Sequence, residues 1–149
     1  MATSTKGRAT GVEAILGGTK VVYGRTTGRG VLHTAVREGL PYRSFENVAE
    51  ALDLRSGELA DLIGVASRTL ARRKQLKTLS SVESDRLVGI AHIATLAEAT
   101  LGSREHVRRW LRYANSALGG ATPLSCLDTE PGRRQVEAIL YQIRYGMIS

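Results

Sequence analysis

The sequence predicts an all-α protein built around a helix-turn-helix, and three observations predict it. Leu, Ala, Arg and Glu are plentiful while Pro numbers only three in 149 residues. Apolar residues recur at i, i+3, i+4 and i+7 in several windows. Residues 56–75 read as a short helix, a glycine turn and a strongly basic second helix.

Residues 1–43 are expected to form a basic, partly mobile N-terminal arm. Gly, Thr, Lys and Arg dominate 1–30, and the apolar patches at 12–16 and 21–23 stand between glycines, which breaks any periodicity. Gly28-Arg29-Gly30 lacks the third glycine of a dinucleotide fingerprint, because His33 stands in its place, and no Gly-Lys-Ser/Thr follows Gly18-Thr19-Lys20 as a P-loop requires. Up to Arg43 the arm carries seven cations against Glu13 and Glu38, so it either adds non-specific phosphate contacts or is simply solvated. Within it, 31–38 read as a short helix that Gly39 and Pro41 end.

Residues 44–82 are expected to be the helix-turn-helix domain. Ser44 reads as the N-cap of a helix over 45–52, whose Phe45, Val48, Ala49 and Leu52 form a core stripe. Leu59, Ala60 and Ile63 face inward on the next helix, Gly64 supplies the turn, and Val65 plugs the corner. Ser67 reads as the N-cap of the basic helix, with Leu70 inward. Arg73 departs from the pattern: it stands where an aliphatic residue often completes such a core, and must snorkel or turn out.

Charge sharpens the reading. Between 44 and 66, Glu46, Glu50, Asp53, Glu58 and Asp61 face only Arg55, whereas 67–77 hold Arg68, Arg72, Arg73, Lys74 and Lys77 and no anion. Such segregation favours approach to a polyanion, and the net charge of +7 points the same way.

Residues 83–149 make up the second unit. Ser80-Ser81-Val82-Glu83 has the form of a capping box before a long helix to about Leu101, with Leu87, Ile90, Ala91, Ala94, Ala97 and Leu101 along one side. Gly102 stops it, Ser103 caps the next helix, and Val107, Trp110 and Leu111 face inward. Thr122-Pro123 opens one helical turn, and the last helix runs from Glu130 to Gly146 on Val136, Ile139, Leu140 and Ile143. Met147-Ile148-Ser149 follows as an apolar tail, unusual unless it docks.

Several classes are disfavoured. Cys126 is the only cysteine, which excludes an intrachain disulfide and a cysteine-pair zinc site. His92 has no second ligand at metal spacing, and the dispersed histidines offer Cys126 no base, so neither metal, cofactor, small-molecule substrate nor enzymatic activity is expected. No apolar run approaches the ~20 residues that span a bilayer, and the N-terminus lacks a secretory core, so a cytoplasmic protein is expected.

The C-terminal third resembles a known family. Trp110-Leu111, the run from Asn115 through Gly119-Gly120 to Thr122-Pro123-Leu124, Leu127-Asp128-Thr129-Glu130-Pro131-Gly132, and Val136 through Ile143 to Tyr145-Gly146 are similar to the toxin-binding domain of Xre, MbcA and ParS-type antitoxins. Arg68 to Lys74 and Glu83 to Leu87 resemble the helix-turn-helix half of that family, so the likeness covers roughly 44–149 and leaves the first 43 residues outside. The resemblance implies an Xre-like helix-turn-helix bundle followed by a dimerisation and toxin-binding domain. It further implies a type II antitoxin whose partner is a RES-domain toxin acting on NAD, which dimerises, covers the toxin's active-site entrance and represses its own operon.

Two residue sets are the candidates. For operator DNA they are Ser67, Arg68, Thr69, Arg72, Arg73, Lys74, Gln75 and Lys77, with Ser67, Arg68, Arg72 and Gln75 placed for groove contact and Arg73, Lys74 and Lys77 for phosphates. For the toxin they are Arg144, Tyr145, Gly146, Met147, Ile148 and Ser149, although Tyr145 and Met147 could equally complete the domain's own core. The alternative is a stand-alone helix-turn-helix regulator whose C-terminal domain only dimerises.

Overall fold

The computed structural model describes residues 11–24 and 31–146, and among them there are helices and turns but no strand. The helices are α1 (Val12–Ile15), α2 (Thr19–Tyr23), α3 (Leu32–Glu38), α4 (Tyr42–Leu52), α5 (Ser56–Leu62), α6 (Ser67–Leu76), α7 (Ser81–Leu101), α8 (Arg104–Leu111) and α9 (Glu130–Tyr145). Two 3-10 turns, Ser116–Leu118 and Leu124–Cys126, fill the connection between α8 and α9.

Helix α7 is the axis. The Ser80 hydroxyl accepts the Glu83 N–H while the Glu83 carboxylate accepts the Ser80 N–H, which is the reciprocal cap the sequence predicts, and Gly102 ends the helix in a left-handed conformation. Its expected apolar side is buried from Leu87 to Ala97 with Leu101 half-buried, but Ile93 and Leu96 are buried too, because α1, α3, α4, α8 and α9 all pack around it. A helix apolar on several sides belongs at the centre of a bundle.

The N-terminal segment differs from the expected arm. Ile15, Leu16, Val22, Ala35 and Leu40 are buried in the same continuous core as α4 and α7, and the Asn47 side chain donates to the Leu16 carbonyl. Helices α1 and α2 span barely one turn each, too short to display a 3.6-residue period, yet each inserts apolar side chains between glycine turns. Residues 1–10 and 25–30, including Gly28-Arg29-Gly30, lie outside the described residues.

Two caps also differ. Helix α4 starts at Tyr42 behind Pro41, so Ser44 sits inside it, fully buried, with its hydroxyl unpartnered among the described residues. Pro41, with its ring-fixed φ of −60° and an extended ψ of 146°, takes the cap position, and this moves the start three residues upstream. Likewise Ala66 takes the cap of α6, leaving Ser67 exposed in its first turn.

Close backbone approaches explain two glycines. At Gly39, with φ +93°, a Cβ would collide with the Leu79 carbonyl, where the chain entering α4 bridges the chain leaving α6. At Gly132 a Cβ would collide with the Cys126 carbonyl, so the Pro-Gly pair lets α9 start hard against the preceding 3-10 turn.

Leu16 tests whether the N-terminal helices belong to the core. Leu16→Ala is expected to destabilise the protein by about 2–5 kcal/mol in urea denaturation. A loss below about 0.5 kcal/mol would show that this segment merely rests on the bundle.

Candidate functional site

The turn between α5 and α6 is built as the sequence implies. Leu59, Ala60 and Ile63 are buried, Gly64 has φ +72°, and Val65 is buried with its N–H donating to the Ala60 carbonyl at 2.8 Å. Helix α6 itself has no fully buried residue, and Leu70 is only half-buried. Arg68, Arg72, Lys74 and Gln75 are exposed and, with Ala71, line one shallow outward surface. Thr69 is half-buried, and Lys77 closes the helix in a left-handed conformation.

Arg73 does not join them. Its guanidinium turns inward and forks onto Glu83, Nε to Oε1 at 2.8 Å and Nη2 to Oε2 at 3.1 Å, with side chains only 19% and 10% exposed. This corrects its assignment to a phosphate, because a largely buried arginine forked onto a carboxylate is turned away from solvent with its charge already matched, although only two of its five N–H donors are taken. Burial pushes the Glu83 carboxyl up, but hydrogen bonds from Arg73 and Ser80 together outweigh that and hold it below the usual carboxylate range.

Other arginines tie the two halves together. Arg86 of α7 donates to the Ile63 carbonyl at the end of α5 (3.1 Å). Arg108 of α8 donates to the Ala51 and Glu50 carbonyls at the end of α4 (3.1 and 2.9 Å), where a helix C-terminus offers unpaired acceptors. Arg112 reaches the Asp53 carbonyl (3.0 Å) and both oxygens of Glu58 (3.3 Å each). The Arg112 guanidinium first, and then the Arg55 N–H, hold the Glu58 carboxyl down to about 2.

At the other end of the molecule, α9 finishes in an aromatic and cationic lip. The rings of Tyr141 and Tyr145 stack with centroids 6.1 Å apart, and the Arg144 guanidinium lies 5.7 Å from the Tyr145 centroid. Tyr145 is 61% exposed, so it does not complete the core. Gly146 caps the helix with φ +65°, whereas Met147, Ile148 and Ser149 lie outside the described residues. Sequence reasoning missed Tyr141, which the i, i+4 spacing to Tyr145 signals. Among the described residues no His, Cys, Asp and Glu cluster of three or more could hold a metal, and no helix is long and apolar enough to cross a membrane.

The fold and its two ends define a helix-turn-helix protein that shares α7 and one core with a second helical module. Residues 31–92 match the antitoxin Xre-like helix-turn-helix domain, and 96–146 match the antitoxin Xre/MbcA/ParS C-terminal toxin-binding domain. The chain is 34% identical over 116 residues to an antitoxin Xre of Pseudomonas putida, covering 77% of this chain and 72% of that one. It is 26% identical over 120 residues to an antitoxin Xre of Photorhabdus laumondii, covering 79% and 81%. It is 25% identical over 121 residues to a Prs ADP-ribosylating antitoxin of Sphingobium sp. strain YBL2, covering 74% and 76%. The chain belongs to the Xre antitoxin family. The two domain types it carries are not enzymatic, and the second implies a toxin as partner. The first match begins at α3, inside the segment expected to be an arm, and the two matches meet within α7.

Two predictions follow from the arginine contacts. Arg73→Ala and Glu83→Ala are each expected to cost about 3 kcal/mol, and the double variant clearly less than their sum, because one buried charge left alone is worse than none. Strictly additive losses in urea denaturation would contradict the pairing. For Glu58, a folded value near 2 lies below the unfolded value of 4.5, so the tie stabilises fully above pH 4.5 and is lost as pH falls towards about 2. The melting-temperature gap between the parent and Glu58→Gln should therefore be widest near neutrality and close across that acid window. A gap unchanged down to pH 2 would remove Arg112 as its cause.

Proposed function

We propose that this chain is the antitoxin of a type II toxin–antitoxin pair. In this reading a cytoplasmic homodimer covers the active-site entrance of a RES-domain toxin that attacks NAD, and lays α6 in the major groove of its own operator. The observation that carries the toxin half is the α9 lip: Arg144 and Tyr145 stand exposed at the end of the matched toxin-binding region, with no part in their own core. An aromatic ring with a guanidinium beside it is the composition that dominates binding energy at protein interfaces. The name of the Sphingobium relative couples an antitoxin to ADP-ribosylation, which supports a toxin that handles ADP-ribose.

On the DNA side, Arg68 and Arg72 present forks suited to guanine edges and Gln75 an amide suited to adenine, with Ser67 and Thr69 at the start of the same helix. Lys74 and Lys77 suit phosphates. The toxin-binding match favours this reading over a stand-alone regulator.

Co-expression with a neighbouring RES-type reading frame tests it. The parent should rescue growth, preserve cellular NAD and co-purify with the toxin, while Tyr145→Ala combined with removal of 147–149 should lose rescue yet remain folded. Full rescue by that truncated variant would refute the role of the α9 end, and a toxin unaffected by the parent would refute the pairing.

A further inference from the structure

A cleft of about 600 Å³ lies where α2 crosses the start of α4 and the end of α6. Lys20, Arg43, Lys74 and Lys77 line it against a single carboxylate, Glu46. Its α4 and α6 walls are held at fixed separation by backbone: the Tyr42 N–H donates to the Lys77 carbonyl at 3.1 Å and the Leu79 N–H to the Leu40 carbonyl at 2.9 Å. The cations are therefore placed by the fold rather than gathered by a ligand.

Arg55, Arg73, Arg104, Arg109, Arg112 and Arg134 pair with carboxylates, but Lys20, Arg43 and Lys74 are exposed and form no ion pair among the described residues. Like charges set around one concavity repel one another, and a bound anion relieves that repulsion. Lysine heads are compact point charges that suit phosphate oxygens, and contacts to phosphate carry no sequence information directly. Lys74 also borders the outward surface of Arg68 and Arg72, so the cleft continues the face of α6.

We infer that this cleft grips the phosphate backbone of duplex DNA beside the groove that α6 occupies. The DNA-binding surface then extends to α2, which lies outside both matched domains. The inference rests on the proposed role of α6.

Fluorescence anisotropy with the full chain tests it, using the duplex upstream of its own reading frame and a scrambled duplex, between 50 and 200 mM salt. Lys20→Gln with Arg43→Gln should weaken both duplexes by the same factor, of order tenfold, and lower the salt slope by about 0.9 per lost phosphate contact. Arg72→Ala should instead weaken the upstream duplex more than the scrambled one. Unchanged affinity and slope in a folded Lys20→Gln, Arg43→Gln variant, while Arg72→Ala still loses discrimination, would overturn this inference alone. A parent that binds neither duplex would overturn the proposed DNA role together with it. If tripolyphosphate at constant ionic strength raises the melting temperature of the parent but not of the variant, and duplex binding is equal in the two, the cleft serves a free oligophosphate and the inference fails.

Discussion

The placement of α6 depends on one ion pair. A helix with no fully buried side chain has little hydrophobic hold on its bundle, since burial of apolar surface is what ordinarily fixes a helix in place. Leu70 supplies part of that hold, the Tyr42–Lys77 and Leu79–Leu40 backbone bonds fix the end of the helix, and the Arg73–Glu83 fork is its side-chain anchor on α7. Glu83 is also the residue that closes the N-terminal cap of α7, so one carboxylate fastens the basic helix to the start of the central one. The helix is freed by this to spend nearly all its remaining side chains on the outside. An aliphatic residue at 73 would seat the helix by contact, but the planar fork adds an angular constraint as well.

The same use of arginine recurs across the molecule and changes how its positive charge is understood. Arg86, Arg108, Arg112 and Arg133 all donate to backbone carbonyls of neighbouring segments. Arg108 and Arg112 close the end of α4, where a helix dipole places partial negative charge. A large share of the basic residues is therefore structural mortar, and the net charge by itself overstates the surface offered to a polyanion. What distinguishes α6 is that three cations without such employment among the described residues, Arg68, Arg72 and Lys74, line one surface of a single helix.

Much of the fold was legible because helix ends are local chemistry. Ser80 with Glu83, Gly102, Ser103 and Thr129 each fix an end by a side chain or a backbone conformation confined to a few residues. The stripe of α4 and the turn at Gly64 were legible for the same reason. The N-terminal segment was not, since Leu16 and Val22 are buried where α1 packs on α4 and α7 and α2 packs on α3 and α4, most of which are far away in sequence. Ser44 misled because a serine before an apolar stripe looks like a cap, while Pro41 had already started the helix. At the site, the direction of Arg68 and Arg72 follows from their spacing to Leu70, but the fate of Arg73 requires knowing that Glu83 lies opposite. The lip at Tyr141 and Tyr145 was half visible, because the outer face of α9 is defined by what its inner face touches.

The two family matches meet inside α7, and this sets how the two ends of the protein relate. One uninterrupted helix runs through both, a single apolar core surrounds it, and Arg108 and Arg112 rivet α8 onto the ends of α4 and α5. Moving the α9 lip relative to α6 would require breaking these ties and opening that core together, and packed cores are not continuously deformable. A ligand shifts a protein only as far as it binds two states differently, and what joins the two ends of the described body is the uninterrupted α7 and the core around it. Under the proposed function, communication between a toxin on the lip and DNA on α6 would be a matter of position: how far apart the basic helices of two copies are held, and whether a bound partner blocks or brings together those copies.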